Sequence, residues 1–417
     1  MAQDRRNPTW AGRSNTCCSV VVERTGESGV IQAFISPQSL EWARTRLHSS
    51  GRDLAALLKV KPSKVKAWLE GEARPTFKQA QKLAATLRVP LPFLFMKTPP
   101  DLHLPLPDRR TIALRDHPTT SSDLLAVANA GKRRQDWLRE YRIAQGAPPL
   151  AFVGSATVTE DPVVVAGRIR DTLELPEDHY KASRSWSEHV TSLAHAAEEA
   201  GILVLRSGIV ANDTTRTLEV AEFRGLAFSD PYAPAIFVNS RDAIAAQVFT
   251  VCHEIAHLWL GESAATDSEY LAENDPSRSA IETFCDRVSA EFLVPARAFV
   301  ADWETVPQRD APQDLARRYR VSSLMVLRRG LDVGLIDRAT FFRLYKIERA
   351  RQTVRSRTTG GNFDVNFTVR NGRRLLESVY ESVAEGRLLH REAAAILEVK
   401  PATLDRLITR WTTRISP

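Results

Sequence analysis

The chain has 417 residues, too many for one small core, and its 43% hydrophobic and 26% charged residues are those of an ordinary globular protein. The first thirty residues lack the apolar stretch of a secretory signal, no run of about eighteen apolar residues occurs, and Cys17, Cys18, Cys252 and Cys285 fit no disulfide framework, so a cytoplasmic protein with free thiols is expected. The net charge of +7 hides a segregation: residues 36–98 carry +8, residues 99–295 carry −11 and residues 296–417 carry +9, and basic ends are where a polyanion is held.

Residues 1–35 match no pattern and are expected to be a disordered extension. From 36 to 98, apolar residues recur at helical spacing in four blocks, 38–48, 53–58, 62–70 and 76–87, broken by "SSG" and "EGEARP". Four short helices so spaced suit a helix-turn-helix domain. The stretch "VKPSKVKAWLEGEARP", with Trp68, Gly71 and Pro75, resembles the turn and recognition helix of the Xre (Cro/C1-type) family. The resemblance implies double-stranded DNA as a partner, with Ser63, Lys64 and Lys66 meeting base edges. Pro62 is sterically acceptable in the first turn, but it stands where the family often has a base-reading Gln. A helix-turn-helix that only packs against a partner is the other reading of these residues.

Six prolines between Pro90 and Pro107 mark a linker, and 99–150 is expected to be linker and helical connector. Amphipathic helices are expected near 121–145, 161–174 and 186–201, and "GILVLR" and "PAIFVNS" as short buried strands. The second strand either offers an edge on which an extended peptide could pair or lies inside a sheet.

The strand "PAIFVNS" leads into "RDAIAAQVFTVCHEIAHLWLG", an apolar helix closed by Gly261. His253 and His257, four residues apart, share one helix face, so both imidazoles can reach one point. They are either two packed histidines or two ligands of an H-E-x-x-H zinc site, with Glu254 placed to take a proton from a water. A zinc site needs a third ligand, and Glu282, on the downstream helical block "SAIETFCDRVSAEFLVP", is where it would come from. "IFVN", "FTVCHEIAHLWLG" and "IETFCDRVSAEFLVP" together resemble the ImmA/IrrE family of metallopeptidases. The resemblance implies Zn2+ held by His253, His257 and Glu282, a water in the fourth place, and Glu254 as general base. Asp286 and Cys285, one turn past Glu282, are expected behind the ligands or in packing, and Cys252 in the core.

Near the C-terminus "REAAAILEVKPATLDRLI", 391–408, aligns without gaps on "RDLAALLKVKPSKVKAWL", 52–69. Both read as helix, tight turn and helix. Thr403 and Asp405 replace Lys64 and Lys66, so the second copy is the poorer DNA reader and is expected to pack or dock. The segment 346–374 carries eight basic and two acidic residues around "TTGGN", either a phosphate-touching loop or a solvated surface.

The expected fold class is α+β, mainly helical. A disordered extension (1–35) and an all-α helix-turn-helix domain (36–98) precede a connector (99–150), a zincin-like metallopeptidase domain with a small sheet (151–300) and a helical C-terminal domain (301–417). The whole resembles bacterial and phage proteins that fuse an Xre helix-turn-helix to an ImmA/IrrE metallopeptidase. Two functions are open. One is a DNA-binding regulator that binds its own promoter and cleaves a protein partner. The other is an antitoxin and autorepressor that neutralises a toxin, often PIN-like, by binding it. A homodimer is compatible with either.

Overall fold

The computed structural model describes residues 22–25, 30–46, 51–100, 104–105, 120–266, 279–307, 310–352 and 363–415. Cys17, Cys18 and the "TTGGN" stretch lie outside them. The chain divides after Leu102 into two compact bodies.

In the N-terminal body two antiparallel strands, β1 (Val22–Thr25) and β2 (Val30–Ala33), put Val22 opposite Ala33. This corrects the expected disorder for those residues. Val22, Val30 and Ile31 favour extended backbone, and Ala33 N–H donates to the Pro75 carbonyl (2.9 Å). Four helices follow, α1 (Pro37–Arg46), α2 (Gly51–Leu58), α3 (Pro62–Leu69) and α4 (Phe77–Thr86). Their core gathers Leu40, Leu54, Val65, Trp68, Leu83 and Leu87. Lys59, between α2 and α3, takes a left-handed φ of 58°. This lets Val60 N–H reach the Ala55 carbonyl (3.0 Å) and Lys59 N–H the Ala56 carbonyl (3.1 Å), the paired bonds of a Schellman turn. Thr76 and Gln79 start α4 with a reciprocal capping box.

The C-terminal body is built on one mixed sheet of four strands, β3 (Leu203–Ser207), β6 (Gly225–Phe228), β7 (Ala235–Asn239) and β8 (Ala264–Thr266), with a small hairpin of β4 (Ile209–Val210) and β5 (Asp213–Thr217) beside it. The sheet order is β3-β7-β6-β8, with β3 parallel to β7 and the other pairings antiparallel. β7 is therefore internal, which closes the edge-strand option left open for "PAIFVNS".

Strand side chains alternate between two cores. Val204, Ile236 and Val238 point to a layer formed by α6 (Pro162–Thr172), α7 (Trp186–Glu199), α8 (Ile244–Trp259), α9 (Ala280–Leu293), α10 (Ala296–Trp303), α11 (Ala311–Tyr319) and α12 (Ser323–Asp332). Leu203, Leu205 and Phe237 point the other way, onto α5 (Ser122–Ala144) and onto the C-terminal helices α14 (Phe363–Asn371), α15 (Arg373–Ala384), α16 (His390–Ile396) and α17 (Pro401–Ile415). α13 (Arg338–Gln352) lies against α12. The expected boundary near 300 thus does not separate two cores: residues 363–407 supply the second face that a two-sided apolar sheet requires. No helix among the described residues is long and apolar enough to cross a membrane.

Candidate metal centre

α8 is buried on nearly every side, including Val251, Ile255, Leu258 and Trp259. Its start is held by Gln247, whose side-chain amide donates to the carbonyls of Asp242 (2.9 Å) and Ser240 (3.2 Å) in the turn from β7. Its end is closed by Gly261, at φ 73°. There the Gly154 N–H donates to the Leu258 carbonyl (3.0 Å) and Ala156 N–H to the Trp259 carbonyl (2.9 Å). A Cβ on Gly261 would come within 3.0 Å of the Gly154 Cα, so backbone passes backbone where only glycine fits. α9 crosses α8, and its cap Ser279 accepts from Glu282 N–H (3.2 Å), which sets Glu282 in the first turn.

These elements bring the expected ligands together. His253 Nε2 and His257 Nε2 are 3.1 Å apart, Glu282 Oε2 is 3.2 Å from His253 Nε2, and Glu282 Oε1 is 3.3 Å from His257 Nε2. Tetrahedral ligands bonded to zinc at roughly 2.0–2.1 Å stand about 3.3 Å from one another. The side-chain spacing fits such an ion. The histidines are 1% and 0% exposed and Glu282 21%, so the centre opens on the Glu282 side.

Asp286 Oδ1 stands 3.1 Å from His253 Nδ1. Burial opposes charge on His253, but Asp286 and Glu282, facing its two ring nitrogens, outweigh it and raise its pKa to about 10. The donor set thus favours a positive charge at its centre. Cys285 is buried in the core, and Cys252 lines a small void with Ile169, Val288 and Phe292. Burial pushes the Cys252 thiol far up, which suits packing and not ligation.

Glu254 is completely buried, and its carboxylate meets the Thr266 hydroxyl without a well-formed hydrogen bond on either oxygen. Burial raises its pKa to about 7, against the pull of His257 and His253. A Cβ on Gly225 would lie 2.3 Å from Glu254 Oε1, so strand β6 can pass over this carboxylate only as glycine. Thr266, opposite Gly225 in the sheet, adds its hydroxyl on the same side. Sequence reasoning missed both residues: one glycine and one threonine in short strands carry no spacing signal, and only the register of β6 and β8 brings them over α8.

In the N-terminal body Ser63, Lys64 and Lys66 are all on the exposed side of α3, with Val65 and Trp68 turned into the core. Lys64 Nζ lies 5.7 Å from the Trp68 ring centroid, and Lys66 Nζ is 3.6 Å from Glu70. No pairing removes either cation from solvent.

Comparison with known families agrees with this division. Residues 40–94 match the helix-turn-helix family model, and residues 197–330, which include both histidines, Glu254, Glu282 and Asp286, match that of the IrrE N-terminal-like domain (Peptidase_M78). Residues 371–410, with the second helix-turn-helix copy, match a domain of unknown function (DUF8813). No curated protein matches the chain. The chain is a fusion of an Xre-type helix-turn-helix domain to an ImmA/IrrE-type, metallopeptidase-like domain.

Proposed function

We propose that this protein is a DNA-binding transcriptional regulator whose central domain is a zinc-dependent metalloendopeptidase acting on a protein partner. The observation that carries the reading is the tetrahedral spacing of His253, His257 and Glu282 beside a buried Glu254. A site built only to hold an ion has no use for that additional carboxylate.

When bound by these three side chains, zinc supplies a Lewis acid for the scissile carbonyl and lowers the pKa of water toward neutrality. The protein does the rest. Asp286, facing His253 Nδ1, holds the tautomer in which Nδ1 carries the proton and Nε2 keeps its lone pair toward the ligand cluster. The Glu254 carboxylate takes the proton of the attacking water and returns it to the leaving amine. Gly225 and Thr266 keep the carboxylate in place from the sheet side. β8, an edge of the sheet next to this carboxylate, is the strand along which an extended peptide would lie. In the other body Ser63, Lys64 and Lys66 contact double-stranded DNA upstream of the protein's own gene.

Two experiments test the catalytic half. Elemental analysis should find about one zinc per chain, lost in a His253→Ala, His257→Ala double variant. Glu254→Gln should keep the metal but slow cleavage of a co-expressed partner, encoded beside the gene, by about a hundredfold or more. Full metal in the double variant would sink the ligand assignment. Equal behaviour of Glu254→Gln and wild type, with the partner intact and still neutralised, would favour an antitoxin that acts by binding.

A further inference from the structure

α13 exposes most of its surface. Its buried residues are Phe341 and Glu348, and its acids are occupied. Glu348 is turned inward, accepting from Gln313 Nε2 and from Arg351 Nη1 (2.7 Å). Asp337, just before the helix, accepts from Thr340 N–H (2.8 Å). What faces outward is cationic and apolar, with Ile347 46% exposed among the cations and aromatic rings. Phe342 is 42% exposed, and with Tyr345, Lys346, Arg349 and Ala350 it lines a recess of about 420 Å³. Positions 342, 345, 346 and 349 are one or two turns apart and share a face. The Arg349 guanidinium lies 5.9 Å from the Tyr345 ring centroid and donates to its hydroxyl (3.4 Å), which presents a cation beside an aromatic ring. Arg343, next to Phe342, is exposed as well.

The geometry points to a second nucleic-acid site on α13, one for a single strand, with phosphates against Arg343, Lys346 and Arg349 and an unpaired base against Phe342 and Tyr345. Phosphate alone would need only the cations. An exposed aromatic ring inside a cationic recess adds a platform for a base face, and a single strand leaves base faces open where a duplex keeps them stacked. The chain's own next segment, residues 353–362, carries Arg355, Arg357 and no acid, so charge does not favour it as the cover. Residues 296–417 carry +9 overall, a field that draws a polyanion toward this end of the chain. The site is independent of the metal centre and of the helix-turn-helix.

The test uses the full chain and a labelled oligothymidylate of about twenty nucleotides, followed by fluorescence anisotropy from about 50 to 200 mM salt. Binding should weaken as salt rises. Phe342→Ala should weaken it about tenfold or more, and Lys346→Ala and Arg349→Ala should each lower the salt slope by about 0.7. Phe342 and Lys346 are exposed, so unchanged melting curves are expected and confirm that these variants fold. The proposal is overturned if the oligothymidylate does not bind, or if Phe342→Ala binds it as wild type does. It is likewise overturned if the variants weaken binding of a random duplex equally, which would make this a duplex surface, or if oligoglutamate competes as well as the oligothymidylate, which would make it a peptide surface.

Discussion

At the turn between α2 and α3, Lys59 has φ 58°, and at the turn between α16 and α17, Glu398 has φ 53°. The same two hydrogen bonds close each turn: Val60 N–H to Ala55 carbonyl and Lys59 N–H to Ala56 carbonyl in one, Val399 N–H to Ala394 carbonyl (2.9 Å) and Glu398 N–H to Ala395 carbonyl (3.3 Å) in the other. Val65 and Trp68 point inward from α3 as Leu404 and Leu407 do from α17. The surroundings differ. Around the first turn Lys59, Lys61, Lys64 and Lys66 are exposed. At the second, Glu398 is gripped from α5 by Arg134 (3.0 Å) and Arg133 (3.2 Å), while Arg134 Nε also donates to the Ile396 carbonyl and Asn212 donates to the Glu398 carbonyl. One backbone motif thus carries exposed lysines around its turn in one body, and in the other has an acid as its turn residue, held by buried arginine.

The largest effect expected from this comparison is in the two cores. Trp68→Ala should destabilise the N-terminal body by about 4 kcal/mol and abolish duplex binding, whereas Leu407→Ala, at the matching place, should cost about 2 kcal/mol and leave duplex binding intact. Urea unfolding with gel shifts checks both, and loss of duplex binding in Leu407→Ala would break the contrast. A smaller effect should separate the two turns. Glu398→Ala strips the partner from Arg134, whose side chain is 4% exposed, and should cost about 2 kcal/mol after allowing for the partial exposure of Glu398. Lys59→Ala should change stability by less than about 0.5 kcal/mol. If thermal melts showed equal losses, Glu398 would be no clamp. The smallest effect concerns reading itself. Lys64→Ala and Lys66→Ala should each lower the salt slope of duplex binding by about 0.9, and Thr403→Ala and Asp405→Ala should leave it unchanged. An equal response from α17 would mean that both copies read DNA.

Much of the helical order was legible without coordinates. Helical spacing is a local property, so the blocks at 38–48, 53–58, 62–70 and 76–87 correspond to α1 to α4, and the helices expected near 121–145, 161–174 and 186–201 correspond to α5, α6 and α7. The same locality makes His253 and His257 a candidate pair, since four residues along a helix return to one face. The gapless repeat at 391–408 likewise implies the second turn, because a left-handed turn is set by the residues within it. β6 and β8 were not legible: Gly225–Phe228 and Ala264–Thr266 are too short for alternation to show.

What tertiary structure decided is every relation between residues that are distant along the chain. The sequence placed Glu282 on a helix that could cross α8, but the approach of its two oxygens to the two imidazoles follows from how α9 packs on α8. That Asp286 faces His253 Nδ1 follows from the same crossing. β7 became an internal strand because Leu203–Ser207 pairs with one of its sides and Gly225–Phe228 with the other, a choice no residue within "PAIFVNS" records. The C-terminal helices joined the sheet for a similar reason. Strands apolar on both faces need two covers, and helices α6 to α12 supply only one. Gly225 is the sharpest case: its identity is plain in the sequence, but its necessity arises from a carboxylate 29 residues away that only the folded sheet brings beneath it.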